Sequence, residues 1–336
     1  MEFLPLPQRP DGTPLPPTVD QIVRICERAF GSSVDITSAR ELGGGTFNTT
    51  FLINLDNQQV ILRIAPPPDS DLLWNERWLM RREVQIQPFF AAIASLMPRM
   101  LLADFTHQLI DRDYIFQTYL PGERWDQTGG RFTPDEELRL WEQFGNITKT
   151  IHNTVGTRFG GPYPAPEFST WSESVLYHLE CAHLAMMDEQ LDVRDLETVL
   201  AIVRDQTRLL DRITQPRLLH GDLWLFNILV SQKSDGPTIT GILDADRAWW
   251  GDPLADWTMF VLATSVSEKH PGHARFWQAY GQSEQTFDAD FRRAVYEAMH
   301  MGTAMAWASR HDDADTVQRG KRDLRAVLKK LKRYAK

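Results

Sequence analysis

The 336-residue chain predicts an α+β fold in two lobes, a small antiparallel β-sheet lobe followed by a larger, mainly helical lobe. Strand-like runs with apolar residues at alternate positions gather before residue 120, whereas helical periodicity governs most of the chain after residue 133. One β-hairpin interrupts the helical part, and Asp222, Asn227 and Asp244 stand at its ends.

Residues 1–17 hold six prolines and read as an extended arm outside the core, since each ring fixes φ and removes a backbone donor. The first lobe is expected over 18–118. Thr18-Val19-Asp20 is a helix start, with Ile22, Ile25, Cys26 and Ala29 recurring at helical spacing. Gly43, Gly44 and Gly45 then run into a strand in which Phe51, Ile53 and Leu55 share a face. Glycines there let backbone amides approach an anion, although no Lys-Ser or Lys-Thr follows to make a P-loop. Val60-Ile61-Leu62-Arg63 is the next strand and ends in a cation. Residues 72–94 are rich in helix formers, with Glu76, Leu79, Glu83 and Ile86 in phase. The strand through Tyr114, Thr118 and Leu120 stops at the turn signal Pro121-Gly122.

The second lobe is expected over 119–336. Thr133-Pro134-Asp135-Glu136-Glu137 starts a helix whose apolar face carries Leu138, Trp141, Phe144, Gly145, Thr148 and Ile151, with His152 packing behind it. At the carboxyl end, Leu324, Val327, Leu328, Leu331 and Ala335 share a helical face and leave the cations on the opposite side.

The chemistry is expected in His220-Gly221-Asp222-Leu223-Trp224-Leu225-Phe226-Asn227 and in Leu243-Asp244-Ala245-Asp246-Arg247. Residues 226–230 and 238–243 read as strands, with 231–237 as the turn, so antiparallel pairing returns Asp244 to the neighbourhood of Asn227. An Asp, an Asn five positions later and a second Asp beyond a strand is the spacing of a kinase catalytic loop and its metal-binding partner. Phosphoryl transfer passes through a loose, highly charged transition state, so a protein mainly positions the nucleophile and neutralises oxygens. Asp222 would orient the attacking hydroxyl. Asn227 would give a neutral oxygen to Mg2+ and Asp244 a charged one, as that hard cation requires. Asp246 is either a further acidic contact to metal or substrate, or a carboxylate paired with Arg247.

These segments, together with Gly251-Asp252-Pro253-Leu254-Ala255-Asp256-Trp257, resemble the aminoglycoside phosphotransferase family of kinase-like enzymes. The specific part of the match spans Arg217 to Trp257, and a looser match of order and pattern spans roughly residues 38–305. The resemblance implies a two-lobed protein-kinase-like fold with ATP and Mg2+ as cofactors. It makes Asp222 the catalytic base, Asn227 and Asp244 the Mg2+ ligands, and His220 and Asp256 structural braces of the catalytic loop. It places Arg247 near the active site. It assigns Gly43, Gly44, Gly45, Arg63, Glu83, Thr118 and Leu120 to the nucleotide. Glu83, or its rival Glu76, would orient Arg63, and backbone groups near Thr118 and Leu120 would meet the adenine edge. Arg63 replaces the usual Lys of this strand, which keeps the charge but changes its geometry. Trp224 occupies the position where many protein kinases carry Lys, which favours a small-molecule acceptor.

Acceptor recognition is expected from 168–191, where Glu173 and Tyr177 are candidates, and from 265–311. Carboxylates beside aromatic rings suit a hydroxylated amine such as an aminoglycoside or amino sugar, the former implying antibiotic resistance. A choline-like amine, macrolide, metabolic alcohol or glycated amine remains open, as does a nucleotide-binding pseudokinase scaffold. The net charge is −9, and because residues 319–336 carry +8, the rest carries −17, which suits a cationic ligand and equally suits solubility. The basic end reads as a helix docked on the acidic body, so neither nucleic acid nor membrane is expected as a partner. Two cysteines exclude a disulfide framework, and no signal peptide or spanning run is evident, which makes the cytoplasm the expected compartment.

Overall fold

The structure, a computed structural model, describes residues 1–6, 16–43, 47–56, 58–264, 270–281 and 284–335. The chain forms two compact units. The first comprises Met1–Asp71, Ala94–Gly122 and Thr240–Leu243, and the second Leu72–Ile93, Glu123–Ile239 and Asp244–Lys336. The helix over 79–86, expected in the first lobe, thus belongs to the second unit.

The first unit is built on six strands, β1 (Glu2–Leu4), β2 (Ile36–Leu42), β3 (Thr49–Leu55), β4 (Gln58–Ile64), β5 (Met100–Asp104) and β6 (Tyr114–Thr118), in the order β1-β2-β3-β4-β6-β5. All neighbours pair antiparallel except β1 and β2, which are parallel. The sheet is therefore mixed. The arm expected over 1–17 also begins inside the fold: Phe3 stacks on Phe51 with ring centroids 6.0 Å apart, and the Leu6 amide donates to Glu41 Oε2 at 3.0 Å. The first of the six prolines is Pro5, so Glu2, Phe3 and Leu4 keep the amides that a strand needs. Helix α1 (Val19–Phe30) starts with a Thr18–Gln21 capping box and buries Ile22, Ile25 and Cys26 against Phe51, Ile53, Leu62 and Phe116.

In the second unit a 3-10 turn (Trp74–Glu76) precedes α2 (Leu79–Ile86); a kinked 3-10 stretch (Gln87–Leu96) follows, its residues from Ala94 on belonging to the first unit. The single helix expected over 72–94 is thus divided. Trp78 sits in the left-handed region at φ 61 and interrupts it on one side; Pro88, which has no amide to donate, ends it on the other. The rest comprises α3 (Pro134–His152), α4 (Trp171–Asp188), α5 (Arg194–Asp205), α6 (Thr207–Leu210), α7 (Trp257–Thr264), α8 (Pro271–Tyr280), α9 (Phe287–Arg310) and α10 (Ala314–Leu331). Short strands β7 (Glu123–Arg124), β8 (Phe159–Gly160), β9 (Glu167–Phe168), β10 (Arg217–Leu219), β11 (Ile228–Lys233), β12 (Gly236–Ile242) and β13 (Trp249–Gly251) thread between them.

The expected hairpin is β11–β12, with longer strands and a tighter turn than the sequence suggested, since Gly236 at φ 119 lets the chain reverse directly after Asp235. Gln143 of α3 fixes it, donating to the Pro237 carbonyl at 3.0 Å and accepting from the Ile239 amide at 2.9 Å. Trp171, Leu179, Val199, Phe291, Val295, Leu324 and Leu328 belong to one buried apolar core. Among the described residues no helix is long and apolar enough to cross a membrane.

Candidate active site

Strand β10 delivers the chain to His220 and Gly221, where the backbone must turn out of the sheet. Gly221 takes φ 81, and a Cβ there would run into the carbonyl oxygen of Arg247, so only glycine allows the loop and the Asp244–Arg247 turn to approach this closely. The loop is held from below by Asp256. Its carboxylate accepts from the His220 amide at 3.1 Å, the Gly221 amide at 2.8 Å and the Trp257 amide at 2.8 Å, and from His152 Nε2 at 2.9 Å. Although burial works against the charge, the His152 bond and these amides hold its carboxyl below the usual range. His152 is fixed in turn by the Tyr280 hydroxyl at 2.8 Å. Thr258 adds a bond of 2.7 Å to the Leu223 carbonyl, and the buried His220 ring lies edge-on to Phe90 at 5.8 Å.

On this base Asp222 and Asn227 meet directly. The Asn227 amide group donates to the Asp222 main-chain carbonyl at 2.8 Å and to its carboxylate at 3.2 Å. With its NH2 engaged, Asn227 has its Oδ1 as the atom able to face a cation. Asp244 takes the left-handed conformation, φ 56 and ψ 55, at the head of the 3-10 turn Ala245–Arg247, which packs against α2. The Asp222 carboxyl is pushed up to about 7, first by burial; Arg247 pulls it down, while Asp246 and Asp244 push it further up. Three carboxylates therefore share one field with Arg247, and Asp246 also faces Arg82 of α2, whose guanidinium pKa burial lowers. Such a set of oxygens suits a hard divalent cation that draws its remaining ligands from phosphate and water. Among the described residues no three His, Cys, Asp or Glu side chains form a metal cluster by themselves.

The remaining expected residues divide. Arg63 is buried on β4 opposite Thr50 and Ile115, and Glu83 is buried on α2. Glu76 caps its own turn, accepting from the Leu73 amide at 2.8 Å. Thr118 is engaged within its sheet, since its amide donates to the Arg99 carbonyl at 2.9 Å and its hydroxyl accepts from the Arg99 amide at 2.9 Å. Of the two expected adenine contacts, Leu120, which lies beyond the end of β6, is the one not held in this way. Gly43 follows β2, whereas Gly44 and Gly45 lie outside the described residues. Glu173 is the N3 residue of a capping box, with the amides of Ser169 and Thr170 on its Oε2, both at 3.1 Å. Tyr177 packs between Trp74 and Phe168. Trp224 lies against Trp141 and Phe144.

Two residues of the site escaped the sequence reading. His152 ends an apolar helix face and had no visible link to an aspartate 104 positions away. Arg82 stands next to Glu83 on α2, and its marks, burial and the nearby Asp246 carboxylate, exist only in the folded chain.

Residues 38–295 match the Phosphotransferase enzyme family, APH. The chain is 28% identical over 198 residues to "Probable ketoamine kinase YniA" of Escherichia coli O157:H7 and of strain K12; the match covers 56% of this chain and 62% of each relative, less than two thirds of their length. Among solved structures, aminoglycoside phosphotransferase APH(4)-Ia superposes with a TM-score of 0.65 at 13% identity, covering 93% of this chain and 99% of that one. The GDP and kanamycin complex of APH(2")-IIIa gives 0.60 at 16% identity, covering 91% and 97%. The β-sheet unit and the helical unit are those of the protein-kinase-like fold. With the family match covering most of its length, the chain belongs to the phosphotransferase enzyme family.

Proposed function

We propose that this protein is an ATP- and Mg2+-dependent small-molecule kinase that transfers the γ-phosphoryl group to a hydroxyl of a hydroxylated amine. The observation that carries the reading is the convergence of Asp222, Asn227 and the Asp244 turn on a loop braced by Asp256. Asp222 takes the proton of the attacking hydroxyl, its carboxylate held by the Asn227 amide group at 3.2 Å. Asn227 Oδ1 and Asp244 would hold Mg2+, which supplies charge neutralisation on the phosphate oxygens when bound. Arg63, Glu83, Gly43, Gly44 and Gly45 and the backbone at Thr118 and Leu120 serve the nucleotide. Trp224, packed into the aromatic cluster of α3, leaves no lysine beside Asp222.

Support for an amine-bearing polyol comes from the names of the relatives: ketoamine kinases by sequence, and by fold a phosphotransferase solved with kanamycin. A cytoplasmic location fits such an acceptor. The test is ADP release from Mg-ATP across a panel of ketoamines, aminoglycosides, amino sugars and choline analogues, with products mapped by mass spectrometry. Acceptor-dependent ADP release with a phosphorylated hydroxyl is expected. Nucleotide binding with no acceptor-dependent release across the panel would instead favour a pseudokinase scaffold.

A further inference from the structure

A cavity of about 240 Å3 opens in the second unit, between the start of α2, the middle of α4 and a turn rich in proline at 164–166. Trp74, Arg77, Trp78, Arg82, Tyr177 and His178 line it, and no carboxylate does. Two of these residues also carry a buried, unmatched donor: Trp74 Nε1 and Arg82 Nε reach no acceptor among the described residues. A buried N–H without an acceptor is costly, so groups of this kind are ordinarily met by a ligand or ordered water. The N-terminus of α2 adds to the same potential. Trp78 is its N-cap and gives no side-chain cap, and its first turn holds no acidic residue, so α2 itself supplies no carboxylate at its positive end. His178 is neutral at pH 7, its pKa lowered to about 4 by burial, and so leaves the positive character to the arginines.

The cavity adjoins the catalytic turn. Helix α2 packs on Ala245–Arg247, Arg82 lies in the field of Asp246, and the His178 ring rests on Trp249 with centroids 4.6 Å apart. Aromatic faces beside the guanidinium groups of Arg77 and Arg82 suit a flat anionic group carried on a small apolar or sugar body. We propose that this cavity is an anion subsite that takes a carboxylate or phosphate group, most simply the carboxylate of an acceptor such as a ketoamine of an amino acid. Resting on the kinase reading for the identity of the acceptor, the subsite itself is a matter of binding alone. It turns the substrate class away from polycations, although the protein as a whole is acidic.

The experiment compares N-fructosylglycine with its amide by calorimetry on the full chain without nucleotide, then by KM with Mg-ATP, with inorganic phosphate as competitor. The wild type is expected to bind the acid at least tenfold more tightly than the amide. Trp74→Phe, which removes one N–H, and Arg77→Met should each reduce that ratio severalfold; a variant that merely unfolds loses both ligands together. Phosphate that competes with the acid assigns the subsite to the acceptor's own anionic end. Phosphate whose binding is lost in Trp74→Phe but which leaves acid binding untouched assigns it to a free anion. Equal affinity for acid and amide, with no phosphate binding, overturns the proposal. Acid preference in calorimetry with no phosphoryl transfer to any acceptor of the panel would instead sink the kinase reading and leave the subsite standing.

Discussion

Asp222 draws its properties from neighbours far apart in sequence: burial and the carboxylates of Asp246 and Asp244 push it up to about 7, while Arg247 and Asn227 restrain it. On the proposed kinase reading Asp222 is the proton acceptor, and its removal should be felt in turnover more than in binding. Asp222→Asn is expected to lower kcat by about 10²–10⁴-fold with nucleotide affinity within a few fold of wild type, measured by steady-state kinetics and by nucleotide titration. Near-native turnover in that variant would remove Asp222 from the mechanism. The identities of Asp222, Asn227 and Asp244 were legible because their spacing is local: five positions along one loop and one hairpin return. His152 and Arg82 were not, since what marks them is a partner more than 100 residues away. His152 meets Asp256 at 2.9 Å and Arg82 faces Asp246, and neither pairing leaves a periodic trace in the chain.

Elements explain both what was readable and what was not. The β11–β12 hairpin followed from two apolar runs around Asp235-Gly236, whereas the division of the 72–94 segment turned on one left-handed residue, Trp78, and one proline, Pro88. Strand β1 was hidden by the prolines that follow it, and its parallel partner β2 starts more than 30 residues later. At the loop that follows β10, Gly221→Ala should combine backbone strain with a collision against the Arg247 carbonyl. A loss of about 1–3 kcal/mol in stability is expected, together with a fall in kcat of at least tenfold; wild-type kcat in this variant would show that the loop and the turn need not touch. Helix α4 gives a pH dependence. His178 titrates near 6.5 in an unfolded chain and is lowered to about 4 in the fold, mainly by burial, with Arg82 and His300 adding to it against the bond to the Ser174 carbonyl. The unfolded state therefore takes up the proton first. The contribution of His178 is complete above about pH 6.5 and is lost as pH falls from there to about 4, on the order of 3 kcal/mol in all at about 1.4 kcal/mol per unit. Unfolding free energies between pH 7.5 and 4.5 should fall more steeply for the wild type than for His178→Leu, and equal slopes would exclude His178 as the source.

At the scale of the whole molecule, the division into a sheet unit and a helical unit was legible from where strand-like and helix-like periods lie, but the allocation of α2 was not. It depends on a packing partner, the Ala245–Arg247 turn, that arrives more than 150 residues later in the chain. The charge asymmetry was readable outright, and its explanation is mainly apolar. Helix α10 lays Leu324, Val327, Leu328 and Leu331 into the core it shares with α5 and α9, and the cations remain on its outer side. Two of those cations, Arg325 and Lys330, bond Asp195 and Glu297 of the acidic body at 3.3 and 3.0 Å. Exposed pairs of this kind contribute about 0–1 kcal/mol each and are screened by salt, whereas burial of the leucines does not depend on ionic strength. Leu324, only 2% exposed, should thus outweigh the ion pairs: Leu324→Ala is expected to cost about 2–5 kcal/mol, and Arg325→Met less than about 1 kcal/mol. Denaturant titration of the two variants at low and at high salt separates the contributions, since the Leu324→Ala loss should persist at both and any Arg325→Met loss should shrink. A larger loss from Arg325→Met than from Leu324→Ala at low salt would mean that charge, rather than the buried stripe, fastens the terminal helix to the body.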